Sequence, residues 1–436
     1  PEEKIVEVKN LSGKAAFNRL FDELVGRLSV RVVSGGDSGQ SVGIPLQEAL
    51  NHLYLPDRDQ RRAAAEGISQ TLEKSAPTFA FILNSLVLDH QEDCRLRCHS
   101  DPMEPRNLDN EIEPQVVQAL MDSVEAGFGL VERHYRLKAQ LLGIQELRDF
   151  DRYAPLAASA RTVTWSEACD MVFAAYNELA PEAGAVTRTF LEKNWIDAQP
   201  RNGKRGGAFS AGTVTDAHPY ILMSYHGSPR DVATLAHELG HGIHQHLSRG
   251  VGYLQSSTPL TTAEMASVFG EMLLFEKLVQ TARDDRERLS LYMGKVEDAI
   301  ATVFRQVVLT RFEMEVHARR RDQGELSVEE LNQLWMGTNQ RMFGDSVRLG
   351  EGYQWWWTYI GHFIHSPFYC YSYAFGELLV LSLFHLYKQN PKPFARDYLK
   401  VLSLGGSKSP DELLSMMGVD IRHSGFWSQG LSLLND

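Results

Sequence analysis

Apolar residues recur along most of this chain at the three-and-four spacing of amphipathic helices. Residues 15–28, 46–53, 61–88, 114–142, 165–179, 286–320 and 328–342 carry that period in segments rich in Ala, Leu, Glu, Arg and Gln, and each is a predicted helix. One stretch departs from it. Residues 203–227, GKRGGAFSAGTVTDAHPYILMSYHG, predict two short strands at 208–214 and 220–225 around an Asp-Ala-His-Pro turn. The fold class expected is therefore mainly α, with a small antiparallel sheet ahead of the segment that follows it. No fixed-period repeat, heptad or low-complexity tract interrupts the pattern. Residues 34–43, SGGDSGQSVG, read as a mobile loop, and Gly405-Gly406-Ser407 precedes a tail helix opened by Ser409 and Pro410. Three regions are expected: a helical lobe over 1–200, a catalytic region over 201–390 and a C-terminal helical tail over 391–436.

Composition narrows the classes of function. With 43% hydrophobic and 10% aromatic residues in 436, the chain has ample apolar material for a core. An excess of 56 acidic over 44 basic residues, with no basic block, argues against nucleic acid as a partner. The longest apolar stretch, around 374–387, is broken by Glu377 and His385, so no membrane span is expected. Four cysteines in this length favour a reducing compartment, and residues 1–20 lack the apolar core of a signal peptide, so a cytoplasmic location is expected. The chain opens on Pro1 without a Met and reads as a piece of something longer.

Five of the fifteen histidines fall between residues 226 and 246. His237-Glu238-Leu239-Gly240-His241 is H-E-x-x-H, a spacing with a geometric purpose on a helix. His237 and His241 then project from one face and both reach one Zn²⁺, while Glu238 points to the metal's water. Ser228-Pro229-Arg230-Asp231 supplies an N-cap, a first-turn proline and an acid at N3. Val232, Leu235, Ala236, Leu239, Ile243 and Leu247 form an apolar stripe, with His237, His241 and His244 opposite it. His246 falls within the stripe and reads as a packed core histidine.

A catalytic zinc site takes a third protein ligand and leaves a position for water. The metzincin extension needs glycine three residues after His241 and histidine six after it; His244 and Leu247 stand there, which excludes that class. The third ligand is expected to be a carboxylate on a following helix, where Glu264 and Glu271 lie seven apart on one face. Thr261-x-x-Glu264 is also a capping box, which gives Glu264 an alternative, structural use. Glu271 is placed to accept a hydrogen bond from a ligand histidine's second nitrogen. Gly206, Gly207, Ala208 and Phe209 would align substrate by backbone pairing, since small residues permit close main-chain approach.

Eleven aromatics crowd residues 353–375, and such a run is core by default. The alternation of Tyr369, Tyr371 and Tyr373 suggests an extended or irregular segment presenting its hydroxyls in one direction. Cys94, Cys98 and His99, with His90 upstream, read as an ordinary helix carrying reduced thiols, with a second metal as the alternative.

Three ordered blocks resemble the thimet oligopeptidase family of zinc metallopeptidases, in its bacterial oligoendopeptidase F branch. They are GKRGGAFSAG with HPYILMSY, TLAHELGHGIH followed by AEMASVFGE, and HFIHSPFYCYSYAFGE at 362–377. The resemblance implies a two-lobed helical enzyme with a deep substrate channel, one Zn²⁺ per chain and short oligopeptides as substrates. Carried onto matching positions, it makes His237, His241 and Glu264 the ligands and Glu238 the general base. It also sets His362, Tyr371 and Tyr373 against the scissile bond. Two departures stand out. Ser366-Pro367 occupies the place of a tyrosine found in the mammalian branch, and a helical segment that ordinarily precedes the equivalent of Pro1 is absent. The expected activity is cleavage of internal peptide bonds; the rivals are a zinc carboxypeptidase and an inactive peptide-binding module.

Overall fold

Helix-forming residues dominate the chain, and the computed structural model turns most of residues 1–33, 41–156, 162–204 and 207–435, which it describes, into α-helix. The principal elements in chain order are strands β1 (Ser29–Val33) and β2 (Ser41–Pro45), helices α1 (Arg58–Leu96) and α2 (Trp165–Leu179), and strands β3 (Ile196–Asp197), β4 (Phe209–Ala211) and β5 (Tyr220–Leu222). Helices α3 (Pro229–Ser248), α4 (Met265–Gln280), α5 (Arg305–Gln323), α6 (Val328–Phe343), α7 (Cys370–Gln389) and α8 (Pro391–Leu402) follow. Among the described residues no helix is long and apolar enough to cross a membrane.

The predicted helices form, with informative differences at their ends and breaks. The one expected over 114–142 divides at Gly127 into Pro114–Ala126 and Phe128–Leu142, since glycine is costly in a helix interior. The one expected over 286–320 runs as Asp285–Ala299, a π-helical segment Ile300–Phe304, and α5. The expected strands shorten to β4 and β5, paired antiparallel with Ser210 opposite Ile221. β3 adds to β5 in parallel, so the sheet is mixed, in the order β3-β5-β4, where an antiparallel pair was expected. Two residues are too short to leave a sequence pattern. The loop expected over 34–43 lies outside the described residues from 34 to 40, and β2 begins at Ser41, paired with Val33 of β1.

Contacts divide the chain into two units built from interleaved segments, so boundaries at 200 and 390 do not coincide with them. The first comprises Pro1–Asn107, Glu125–Ala158 and Phe304–Tyr371. Its core sets the apolar faces of α1, α5 and α6 around the aromatic run that follows α6. Most of that run is buried and its polar atoms are satisfied: the indole N–H of Trp335 donates to the Tyr353 carbonyl at 3.0 Å, and that of Trp357 to Asn332 Oδ1 at 2.8 Å. The second unit comprises Leu108–Val124, Ser159–Val303 and Ser372–Asp436. Its core includes Phe269 of α4 ringed by Phe384, Tyr387, Phe394 and Tyr398, and the Tyr398 hydroxyl donates to the Met265 carbonyl at 2.9 Å.

Two ion pairs to one carboxylate tie the start of α1 into the first unit. Asp151 is fully buried and accepts from Arg58 Nη2 at 2.8 Å, Arg61 Nη2 at 2.9 Å and the Arg148 backbone N–H at 3.1 Å. Burial pushes the Asp151 carboxyl up, but hydrogen bonds from Arg58 and Arg61 outweigh it and its pKa is lowered. Arg61 is buried as well, so removing its counter-charge strands a cation. Asp151→Asn is expected to cost about 3 kcal/mol at pH 7, measured by urea unfolding. Because the folded pKa lies below the ordinary ~3.9, that contribution is whole above this value and is lost as pH falls through the folded pKa. The gap between the two proteins should therefore close below about pH 4; a gap independent of pH would remove the ion pairs from the account.

Candidate active site

α3 is set up locally, as its sequence predicts. Ser228 Oγ accepts the Asp231 N–H at 3.2 Å while Asp231 Oδ2 accepts the Ser228 N–H at 2.9 Å, with Pro229 in the first turn. Val232, Leu235, Ala236, Leu239 and Ile243 are buried. His237 and His241, one turn apart, stand with their rings edge to face and their Nε2 atoms 3.2 Å apart.

A carboxylate from the next helix completes a triangle. Glu264 Oε2 lies 3.3 Å from His237 Nε2 and 3.4 Å from His241 Nε2. Glu264 occupies the joint between the short helix Leu260–Ala263 and α4, and the capping box does not form. Thr261 donates instead to the Asn110 carbonyl at 3.1 Å, and Glu264 Oε2 accepts from Ser267 Oγ at 2.8 Å. Behind the triangle, His237 Nδ1 is 2.6 Å from Glu271 Oε1, a carboxylate that can only accept, so Nδ1 carries a proton and Nε2 is the ring atom that faces Glu264.

The triangle exists because two helices touch. A β-carbon added at Gly240 would overlap the Ala266 carbonyl oxygen and lie 2.5 Å from Ser267 Cα, so α3 and α4 meet backbone to backbone. Gly242 allows the same approach by the Phe190 ring.

The charge states follow from burial and pairing. Burial pulls His237 down, but the hydrogen bond and charge of Glu271 overcome it and its pKa is raised. Burial pushes Glu264 up, and His241 holds it down at about 2. Glu238 is buried and its pKa is raised by that burial, which His237 and His241 only partly offset. Its Oε2 has no hydrogen-bond partner among the described residues.

These donors fit a metal ion. Three lone-pair atoms converge at 3.2, 3.3 and 3.4 Å, and a tetrahedral ion with bonds of ~2.0–2.1 Å spaces its ligand atoms about 3.3 Å apart. Among the described residues they are the only such group, so Cys94, Cys98, His90 and His99 form no second one. His90 Nε2 faces the Pro102 carbonyl at 2.7 Å and His99 faces Glu104 at 3.2 Å.

Several expectations are corrected. His244 is the buried histidine, its pKa pulled down to about 4 by burial, and His246 is only half-buried. α3 is packed by α2, α4, α8, β4 and β5, while His237 and His241 stay partly exposed. The tyrosine segment is not extended. Tyr371 and Tyr373 lie in the first turn of α7, where two residues turn through about 200°, so they face opposite ways. Tyr371 is fully buried and its hydroxyl donates to Asn107 Oδ1 at 2.8 Å, which makes it a core phenol. Tyr373 is 40% exposed. One turn on from Tyr373, Gly376 abuts the Glu264 side chain, which places Tyr373 on the face of α7 that meets Glu264. The expectation for His362 is not among those corrected; it belongs to the first unit and stacks on Tyr369, while nearby Phe368, with φ +56°, donates its N–H to the buried Glu313 at 2.9 Å.

A cavity within the second unit runs beside the triangle. One wall is α3 from His237 to its end, with Arg249 as the residue that caps it; the other is Ala208, Phe209 and the segment after them. Gly206 lies outside the described residues; Gly207 has φ +85° and open space around it. Gln245 joins the walls, close to Ser210 Oγ at 2.8 Å and donating to the Ser210 carbonyl at 3.2 Å. Gln245 and Arg249 went unread in the sequence, although their positions four and eight residues after His241 mark the same face.

A model of peptidase family M3 matches residues 51–433. Oligopeptidase PepF of Bacillus subtilis is 29% identical over 374 residues, 85% of this chain and 56% of that protein. An oligoendopeptidase F homolog of Borreliella burgdorferi is 29% identical over 383 residues, 86% of this chain and 65% of that protein. The chain thus spans less than two thirds of these relatives' lengths. The crystal structure of oligoendopeptidase-F from Enterococcus faecium superposes with a TM-score of 0.77 at 24% identity, covering 96% of this chain and 70% of that one.

Gly240→Ala is expected to force α3 and α4 apart, lowering stability by about 1–3 kcal/mol and weakening metal retention. Gly294→Ala, within the helix Asp285–Ala299 and with no atom within 4 Å of the new carbon, is the control: it should leave metal retention unchanged and raise stability by up to about 1 kcal/mol, as alanine does in a helix interior. Thermal melts with metal analysis of the dialysed proteins make the comparison; equal behaviour would discount the close approach.

Proposed function

The chain belongs to peptidase family M3, and from that premise we propose that it is a zinc-dependent endopeptidase hydrolysing internal bonds of short oligopeptides. The observation that carries this is the donor triangle with the unpartnered carboxylate oxygen of Glu238 beside it. His237, His241 and Glu264 would hold the ion; the chemistry zinc would supply when bound is Lewis acidity toward a water molecule and a carbonyl oxygen.

The remaining work falls to the chain's own groups. Glu238 takes a proton from the attacking water and delivers it to the leaving amine, a cycle that a pKa raised by burial suits. Glu271 keeps the His237 ring in one tautomer and one orientation. Tyr373 donates to the oxyanion that develops on the scissile carbonyl. Tyr371 has no part in this reading, because its hydroxyl is engaged in the core. β4 is an edge strand, so Phe209, with Ala208 just before it and Gly207 next along the chain, offers an extended peptide main-chain partners where Ala208 and Phe209 wall the cavity. The four cysteines are free, which suits a reducing, cytoplasmic setting.

Glu238→Gln should keep its zinc and lose about 10²–10⁴-fold in turnover of an internally quenched peptide; retained turnover sinks the mechanism. Glu264→Ala should lose zinc outright while Glu271→Ala binds it 10–100-fold more weakly, and the reverse order would exchange their roles. Tyr373→Phe should lower kcat by about 10²–10³ with KM little changed, and an unaltered kcat would remove it from the oxyanion.

A further inference from the structure

The wall of the cavity formed by α3 continues well beyond the donor triangle. Gln245, Ser248 and Arg249 extend the line of His237 and His241 along the helix, and the backbone at Arg249 keeps helical angles of φ −56° and ψ −28°. Eight residues at 1.5 Å each set Arg249 about 12 Å past His241. An extended peptide covers that distance in about three to four residues.

Arg249 is the only Lys or Arg among the described residues lining this cavity. Its Nη1 donates to the Ala217 carbonyl at 3.0 Å, which anchors the guanidinium. Among the described residues it has no other hydrogen-bond acceptor and no carboxylate partner, in a chain with an excess of twelve acidic groups. Arg58, Arg61 and Arg311 are held otherwise, the first two paired with Asp151 and the third with Glu125, while Arg152, like Arg249, donates to a backbone carbonyl, that of Asp149, but lies buried in the first unit and does not line this cavity. The surroundings at this end of the cavity are hydroxyls. Ser256, Ser257 and Thr258 line it, while the carboxylates of the cavity, Glu238 and Glu264, sit at the metal end. The Ser256–Thr258 segment is held in place, since the Ser256 carbonyl accepts from Ser248 Oγ at 3.2 Å and the Gln255 carbonyl from the Gly406 N–H at 2.8 Å.

We propose that Arg249 is a carboxylate-recognition subsite, and that it selects peptides bearing an anionic group about three to four residues from the scissile bond. The proposal rests on the peptidase reading above and gives it a substrate class. A planar guanidinium with free N–H groups takes a carboxylate in paired hydrogen bonds, and neighbouring hydroxyls complete its coordination. That carboxylate has two sources, the C-terminus of the peptide or an Asp or Glu side chain. If it is the C-terminus, the cut releases a fragment of several residues, whereas a carboxypeptidase would need its cation within one residue of the reaction.

The test uses the zinc-loaded full chain and internally quenched peptides of one core sequence. One set ends in a free carboxylate at increasing distance from the cut, one is amidated, and one is amidated with a single Glu stepped along positions two to five. A charge-assisted pair worth ~1.5–3 kcal/mol predicts a 10–100-fold preference in kcat/KM for an anion at the three-to-four-residue distance. Arg249→Gln should bring the anionic-to-amidated ratio to about one, and Arg249→Lys should retain part of it. The free-terminus and Glu sets separate the two sources of the carboxylate. A ratio near one in the unsubstituted chain, or a preference that survives in Arg249→Gln, would overturn the proposal. The same peptides titrated by fluorescence anisotropy into Glu238→Gln, with and without Arg249→Gln, report the subsite without turnover. Anion-dependent binding lost with Arg249 but no cleavage by the unsubstituted chain would reject the peptidase reading and keep the subsite, and anion-independent binding would reject the subsite alone.

Discussion

The candidate site depends on one contact, the backbone-to-backbone approach of α3 and α4 at Gly240. Metal donors from two different helices must come within about 3.3 Å of each other, which ordinary interaxial distances of 8–10 Å make difficult for short side chains. Removing the side chain at Gly240 lets Ala266 and Ser267 move in, and Glu264, two residues before Ala266, is carried to the histidines with them. Glu271, further along the same helix, reaches the back of His237 by the same approach. The metal donors and the residue that orients them are thus consequences of one packing event.

Charge is arranged around that event with some economy. Pairing overcomes burial in opposite directions, Glu271 raising His237 from behind the triangle and His241 lowering Glu264 within it. Glu238 is left out of these pairings; its carboxylate is the one whose pKa burial raises. A group poised to exchange a proton and groups locked in their charged or lone-pair forms therefore sit within one turn of each other, told apart by what each touches.

What was legible in the sequence was what is local. The cap of α3, its apolar stripe and the four-residue spacing of His237 and His241 are decided by neighbours along the chain, and the structure keeps them. The choice between a cap and a metal donor for Glu264 was not local: Thr261 is drawn away by the carbonyl of Asn110, 151 residues earlier. The burial of His244 likewise was not local, since elements distant in the chain, among them α2, α4 and α8, pack on α3. Tyr369, Tyr371 and Tyr373 misled because alternation over five residues imitates a strand, while the long apolar run behind them carries the helix forward to Cys370. Arg249 was passed over because the sequence shows a charge at a helix end and not the cavity that the helix borders.

The open edge of β4 has a second side. An unpaired strand edge that can take up an extended guest is also a place where another molecule of the same chain could add a strand, the first step toward aggregation. Here the edge is three residues long, and Gln245 already occupies the carbonyl of its middle residue, Ser210. A ladder that short cannot hold two folded molecules together. The brevity of β4 thus guards its open edge against strand addition by another molecule, and lengthening it by a few β-forming residues would invite aggregation.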